Sequence, residues 1–388
     1  MKTSNTATGS TPISETRDAG DPQVLAAWQH LQDLGAVHSP FLTAQWHHAC
    51  IRTPGAFETL RTYVARNKSE TVGILPIEIS RDERGLRTAG FPGQSWIAPD
   101  HMDVLAAPGF EAATAAAVLD ALVRDRAIDV IDLDAISANG HLAAALARSL
   151  PARVRALAPT EMDVCYVDLA RGNPRDSWSK NLRQRVNSGL NKTRKAGGDL
   201  YEIRNADELA GALDEMFALH NAQFGTASKA YATAERREFH KRAARCMAES
   251  GRARLYRLAV PDETLAILYC FVNDNTLHYY SGARGTSKLA RSPGLSAHGE
   301  VIERAAAEGF DEYDFMRGDH DFKKRFATSE RTQIRARFVR ANLRTASAAV
   351  RVGARRLAGK ALPHKNDPDR TADTANGPES SQNSGNRE

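Results

Sequence analysis

The stretch RSPGLSAHGEVIERAAAEGFDEYDFMRGDHDFKKRF, from Arg291 to Phe326, orders the reading of this chain. It opens with a Pro/Gly-punctuated turn and continues as one helix, a short strand and a polar loop. Ser292 can cap the helix, with Pro293 at the first helical position, where a missing N–H costs nothing, and Gly309 closes the far end. The loop carries Arg317, Asp319, His320, Asp321, Lys323 and Lys324. A turn that delivers a helix N-terminus aims unpaired N–H groups outward, which suits a phosphate. From the residues alone, the bland alternatives are a well-capped helix start and a solvated charged loop.

Working outward, 388 residues set a prior of two or three domains, each large enough for its own core. Apolar residues make up 42% and charged residues 26%, an ordinary balance for a soluble globular protein. No uninterrupted apolar run approaches about 18 residues, so no membrane span is expected. The first residues lack the apolar core of a signal peptide. Cys50, Cys165, Cys246 and Cys270 are scattered, without a CxxC, and read as buried thiols in a reducing cytoplasm.

The chain then falls into two parts with a shared order. Residues 1–21 are Ser/Thr/Asp/Gly-rich and expected to be disordered. Helices are expected near 24–34 and 43–51, followed by strands at 60–66, 71–80 and 86–91. A long loop leads to an Ala-rich helix at 110–124, the strand IDVIDLD (128–134) and a helix over 140–149. From Asp163 the order restarts with the strand DVCYVDL, a long helical segment over 174–196, and helices over 205–224 and 233–249. Strands at 253–260, 264–273 and 277–283 follow, then the opening helix, the strand at 311–316 and a last strand at 333–340. VGILPIEI (72–79) takes the place of LAILYCFV (265–272), and IDVIDLD that of DEYDFMR. The expected architecture is therefore an internal duplication in an α/β, mixed-sheet fold with helices on both faces. The expected parts are 1–21, 22–158, 159–342 and a basic, then disordered tail at 343–388.

Three sites stand out chemically. At Arg291-Ser-Pro-Gly294-Leu-Ser296, glycine permits close backbone approach, and Arg284 and Lys288 add cations for a diphosphate. After the strand YDFM, Asp319, Asp321 or His320 could accept a proton from an attacking amine or hydroxyl, with Lys323 stabilising developing negative charge. The helix holding Lys180, Arg183, Arg185, Lys192, Arg194 and Lys195 has no acidic residue. It could line a groove for an anionic substrate, contact nucleic-acid phosphates, or simply be a solvated face; sparse aromatic residues count against single-strand binding. Asp100-His101-Met-Asp103 lacks a third ligand at metal spacing, so no metal is expected. His278 reads as a packing residue. The basic tail, with Arg344, Arg351, Arg355, Arg356 and Lys360, suggests a solvated extension or peripheral contact with an anionic membrane.

With these residues in hand, the chain resembles the GNAT-type acyltransferases of the CelD/BcsL group, associated with cellulose or exopolysaccharide biosynthesis, and more distantly the Fem peptidyltransferases. The resemblance covers roughly residues 38–340 and rests on PFLTAQW (40–46), VGILPIEI, KNLRQRVNSGLNKTRK, HYYSGARG (278–285), SPG (292–294) and YDFMRGDHDFKKRF. It implies tandem GNAT folds, an acyl-CoA-dependent acyltransferase, and acetyl-CoA or another acyl-CoA as co-substrate. Arg291, Gly294 and Ser296 fall on the first, fourth and sixth positions of the R/Q-x-x-G-x-G/A pyrophosphate turn, with Ser292 and Leu295 between them; Ser296 departs from Gly/Ala. Asp319, His320 and Lys323 stand as catalytic candidates, and Tyr280, Arg317, Lys180 and Arg183 as substrate-binding candidates. The implied acceptor is an amine or hydroxyl of a sugar, envelope or polysaccharide precursor. Two rivals remain: a Fem-like transferase using aminoacyl-tRNA, the one reading with a nucleic-acid partner, and a non-catalytic component of a polysaccharide-synthesis complex.

Overall fold

The computed structural model describes residues 12–35, 37–147, 154–225, 229–287, 289 and 292–347. The first half contains β1 (Ile13–Asp18), α1 (Pro22–Asp33), α2 (Ala44–Ile51), β2 (Thr59–Asn67), β3 (Glu70–Arg81) and β4 (Arg87–Gly90). It continues with β5 (Leu105–Ala106), α3 (Glu111–Arg124), β6 (Val130–Ser137) and α4 (His141–Leu146). Two connecting strands follow, β7 (Val154–Ala156) and β8 (Thr160–Asp168). The second half contains α5 (Lys180–Lys195), β9 (Asp199–Ile203), α6 (Ala206–Phe224), α7 (Ala234–Glu249), β10 (Ala253–Val260) and β11 (Glu263–Asn273). It ends with β12 (Thr276–Arg284), α8 (Pro293–Glu308), β13 (Glu312–Asp314), α9 (Asp321–Phe326) and β14 (Ser329–Arg340).

Within the described residues the strands form one mixed sheet, ordered β1-β2-β3-β4-β6-β14-β8-β13-β12-β11-β10-β9. The two ends of that order are copies of one plan. β2-β3-β4 are antiparallel neighbours and β4 runs parallel to β6 across the α3 crossover. Likewise β10-β11-β12 are antiparallel and β12 runs parallel to β13 across α8. The fold is a mixed α/β arrangement of two halves built on the same plan. The middle of the sheet joins the copies by exchange. β8, which leaves the first half, pairs with β13, and β14, which leaves the second, pairs with both β6 and β8. The last strand, expected at 333–340, begins earlier, at Ser329, and bridges the two.

Alternation along β11 explains how one strand serves two cores. Leu268 and Cys270 pack with Leu182, Val186 and Leu190 of α5 and Val301 of α8. Ile267, Tyr269 and Phe271 point to the opposite face, where Leu213 and Met216 of α6 and Phe239 of α7 cover them. That second face is continuous with the first half. Trp46 of α2 meets Phe239 at 5.1 Å and Phe271 at 5.4 Å, both edge-to-face. Apolar strand residues thus need cover on both faces, which is why the central strands VGILPIEI and LAILYCFV read as nearly unbroken apolar runs.

Several sequence expectations need correction. Residues 12–21 are ordered: β1 pairs antiparallel with β2, and Arg66 binds Glu15 across the pair at 2.5 Å. A polar composition did not prevent a strand, because the partner strand supplies its hydrogen bonds. The helical segment over 174–196 is broken. A 3-10 turn (Pro174–Ser177) ends at Trp178, and Ser179 then caps α5 by accepting from the Leu182 N–H. The polar loop after Arg317 contains α9, anchored by buried Phe326. The described residues through Asn342 form one compact unit, and Leu343 begins another, helical over 343–347. Residues 1–11 and the tail beyond 347 lie outside the described residues.

α5 and α8 approach closely because glycine stands at both contact points. A β-carbon on Gly189 would lie 2.0 Å from Ser296 Oγ, and one on Gly299 would lie 2.6 Å from a Val186 methyl. Gly189→Ala gains about 1 kcal/mol of helix propensity but overpacks a closed contact by about 1–3 kcal/mol. The clash wins at 2.0 Å, so thermal denaturation of Gly189→Ala should show a lowered Tm. Adding Ser296→Ala to that variant should recover most of the loss; a Tm at or above wild type in the single variant contradicts this packing.

Candidate active site

Strands β12 and β13 run together for only three residues: Thr276 opposite Glu312, Leu277 opposite Tyr313 and His278 opposite Asp314. Beyond that they separate. β12 continues to Arg284, whereas the chain after Asp314 turns away through Met316 at φ 53° and Gly318 at φ 107°. The parting coincides with a bulge. Cys270 faces Tyr279 and Tyr269 faces Ser281, which leaves Tyr280 as the extra residue. The result is an opening in the sheet pairing, where the β12 backbone past His278 has no strand partner on the β13 side among the described residues. In the first half the comparable opening beyond β4 is occupied by the chain itself. Trp96, Ile97 and Met102 are buried there, Met102 bridges to Ile136, and β5 resumes pairing with β3.

The N-terminus of α8 has the features of an anion site. Pro293 lacks an N–H, and among the described residues no side chain caps the helix. Ser292, expected as the cap, instead accepts a 2.8 Å hydrogen bond from Arg185 Nη2. The Gly294 and Leu295 amides thus have no capping side chain, and a guanidinium stands beside them. A β-carbon at Gly294 would meet nothing within 4 Å, so this backbone can be approached closely. Unpaired amides beside a guanidinium suit an anionic group such as a phosphate. Arg291 and Lys288 lie outside the described residues. Leu295 is buried in the core. Ser296 is buried against Gly189 and its N–H donates to Ser292 O at 3.3 Å, so its side chain is committed to helix packing. Arg185, omitted from the expected site, was visible only as one cation among six.

The three catalytic candidates separate into two groups. Asp319 is exposed and paired with Lys324 at 2.6 Å. His320 is exposed and lies flat beside Phe322. Lys323 is buried on α9 and donates to the Met316 carbonyl at 3.0 Å and to that of Arg317. A β-carbon on Gly318 would sit 3.4 Å from His320 Nε2 and 3.3 Å from Lys323 Nζ, so these two flank the same backbone. The structure brings His320 and Lys323 together and sets Asp319 apart.

The expected substrate-binding residues are divided too. Lys180 is exposed at the start of α5, and Arg183 donates to the Arg175 carbonyl at 3.2 Å. The Tyr280 ring packs against Phe271 and His240, and its hydroxyl donates to Ile97 O at 2.9 Å. Arg317 is a clamp across the two halves. Its backbone N–H and Nε each bind Asp100 at 2.7 Å, Nη1 binds Asp134 at 3.0 Å and Nη2 binds Pro99 O. Every guanidinium nitrogen has a partner, which corrects the expectation that it awaits substrate. Losing one member of such a buried ionic group costs about 3–5 kcal/mol. Ala98, His101, Ala135 and Met316, all at φ 53–55°, lie beside this clamp in the chain. Left-handed backbone at non-glycine residues is strained, and sequence pattern gives no sign of it.

Residues 180–324 match the family model described as Acetyltransferase (GNAT) domain. That match lies wholly within the second half. Comparison with curated proteins gives no match. Among solved structures, the chain is similar to FemX at TM-score 0.56 and 10% identity, covering 87% of this chain and 99% of that one. It is similar to L-PGS from Bacillus licheniformis at TM-score 0.53 and 12% identity, covering 88% and 98%. A third likeness is the C-terminal domain of a putative lysylphosphatidylglycerol synthetase from Agrobacterium fabrum, at TM-score 0.51 and 11% identity, covering 86% and 96%. At these identities the likeness is one of fold.

Burial pushes the Lys323 ammonium down to about 8, with Asp100 and Asp314 opposing the shift. A lysine whose folded pKa lies below its unfolded value near 10.4 weakens the fold while charged. Stability should therefore rise with pH between about 8 and about 10.4 as the folded state sheds its proton first. Urea denaturation across this range should show the rise in wild type and a flatter curve in Lys323→Met. Parallel curves would show that Lys323 keeps an ordinary pKa.

Proposed function

We propose that this chain is an acyl-CoA-dependent acyltransferase, with acetyl-CoA as the first candidate donor. The acceptor is an amine or hydroxyl of a sugar, envelope or polysaccharide precursor entering between the halves. The carrying observation is the early parting of β12 from β13, together with the uncapped α8 N-terminus beside Arg185. Amides of Gly294 and Leu295 and the Arg185 guanidinium hold the diphosphate; Arg291, from the same turn, adds a further cation. The thioester lies along β12, whose N–H groups past the bulge polarise its carbonyl. His320 takes the proton of the attacking amine or hydroxyl, and the collapsing adduct releases the thiolate. Lys323 holds the Met316 and Arg317 carbonyls, and so places the His320 loop at the mouth of the opening. Asp319 tunes that loop through Lys324.

Acetyl-CoA at 100 times its Kd should stabilise the full chain by about 2.7 kcal/mol, read as a raised Tm. Gly294→Trp should abolish the shift and Arg185→Ala should reduce it, with the unliganded Tm little changed. No shift at millimolar CoA thioester overturns the reading.

A second reading, transfer from aminoacyl-tRNA, is favoured by the exposed cations Lys180, Lys192 and Lys195 on α5. It requires RNA affinity that falls steeply with salt and weakens when these lysines become alanine. The proposed peripheral membrane contact falls on the basic tail, of which only residues 343–347 are described. Among the described residues no helix is long and apolar enough to cross a membrane.

A further inference from the structure

His101, His278 and Asp314 come from three separate pieces of chain and meet at the seam between the halves. His101 belongs to the first-half loop before β5, His278 to β12 and Asp314 to β13. All three are buried, at 6%, 4% and 0% exposure. One donor atom from each lies within 4.8 Å of the other two.

How these side chains are held decides what they offer. Asp314 Oδ1 accepts the Met316 N–H at 2.6 Å. His101 Nδ1 is 3.0 Å from the Gln333 carboxamide. The amide orientation that satisfies all neighbours has its oxygen accepting from His101 Nδ1–H and from the His101 backbone N–H at 3.2 Å, while its nitrogen donates to Asp100 at 3.0 Å. With Nδ1 carrying a proton, the neutral ring presents its Nε2 lone pair inward. The remaining atoms are His101 Nε2, Asp314 Oδ2 and His278 Nδ1. Among the described residues none of them has a hydrogen-bond partner. His101 Nε2 also lies 3.0 Å from Asp314 Oδ2, the distance of an ion pair.

We propose that His101, His278 and Asp314 bind one divalent zinc ion that ties the two halves together. Two imidazoles and a carboxylate are a normal zinc donor set, and an amide hydrogen bond to the second nitrogen of a ligating histidine is the usual orienting contact. Tetrahedral donors about 2.1 Å from zinc stand roughly 3.4 Å apart. The His101–Asp314 distance is already near this, and the 4.8 Å limit leaves only a small inward shift for the third donor. Three protein donors leave the fourth position of the tetrahedral ion to a water, and the burial of all three makes the ion a tie between the halves. The competing cation is Arg331, whose Nε lies 3.8 Å from Asp314 Oδ2; its charge is answered by Glu312 on the other side.

The test uses the full chain, purified without metal-affinity resin or chelator. Elemental analysis should find about one zinc per chain. Chelator treatment should lower Tm, and zinc chloride, added after the chelator is removed, should restore it. Cobalt substitution should give the visible d–d bands of a four-coordinate site with nitrogen and oxygen donors. His278→Gln should reduce zinc affinity about tenfold or more, while the acetyl-CoA shift persists. Zinc far below stoichiometry, with no response of Tm to added zinc and no cobalt spectrum, overturns the site and leaves a histidine–aspartate ion pair. The wild-type cobalt spectrum decides the question even if His278→Gln does not fold.

Discussion

Three residues of parallel pairing between β12 and β13, and no more, are the constraint from which the rest of this structure follows. While the strands are joined, at Thr276 to His278, they carry the sheet through the second half. Where they part, sheet hydrogen bonding leaves an opening, and the Tyr280 bulge turns the β12 backbone along it. The helix that follows β12 then starts near the opening without a side-chain cap. Opening, donor amides and positive dipole end are consequences of one strand leaving its neighbour early.

An opening in a sheet invites collapse, and the exchanged strands resist it. β8 and β14 lie between β13 and β6, so the wall formed by β13 is backed by strands from both parts of the chain. Arg317 fastens the turn after β13 to Asp100 and Asp134 of the first half. Lys323 holds the carbonyls of that turn from below. The first half thus serves the second as a fixed frame, its own opening closed by Trp96, Ile97 and Met102. Ordering these strained turns is favourable only because each is over-determined by buried contacts.

Local pattern carried much of this architecture. Unbroken apolar runs marked β3 and β11, and Pro293 with Gly309 bounded α8 as expected. What escaped was non-local or conformational. Arg317 and Asp100 are 217 positions apart, and nothing in either segment announces the other. The same holds for His101 and Asp314, and for the strand exchange, which changes partners without altering strand pattern. Ser296 looked like a departure from a binding turn; its burial against Gly189 shows a packing role that spacing could not convey. Ser292 looked like a cap, and only the position of Arg185 shows that its hydroxyl is engaged elsewhere.

The central claim is that the second half alone offers the donor site. Amide hydrogen exchange, followed by residue with and without acetyl-CoA, tests it most directly. The account predicts added protection at Gly294 and Leu295 and along β12 from Tyr280 to Ala283, with none in residues 91–106 of the first half. Protection confined to the first half, or unchanged exchange throughout at saturating acetyl-CoA, would contradict it.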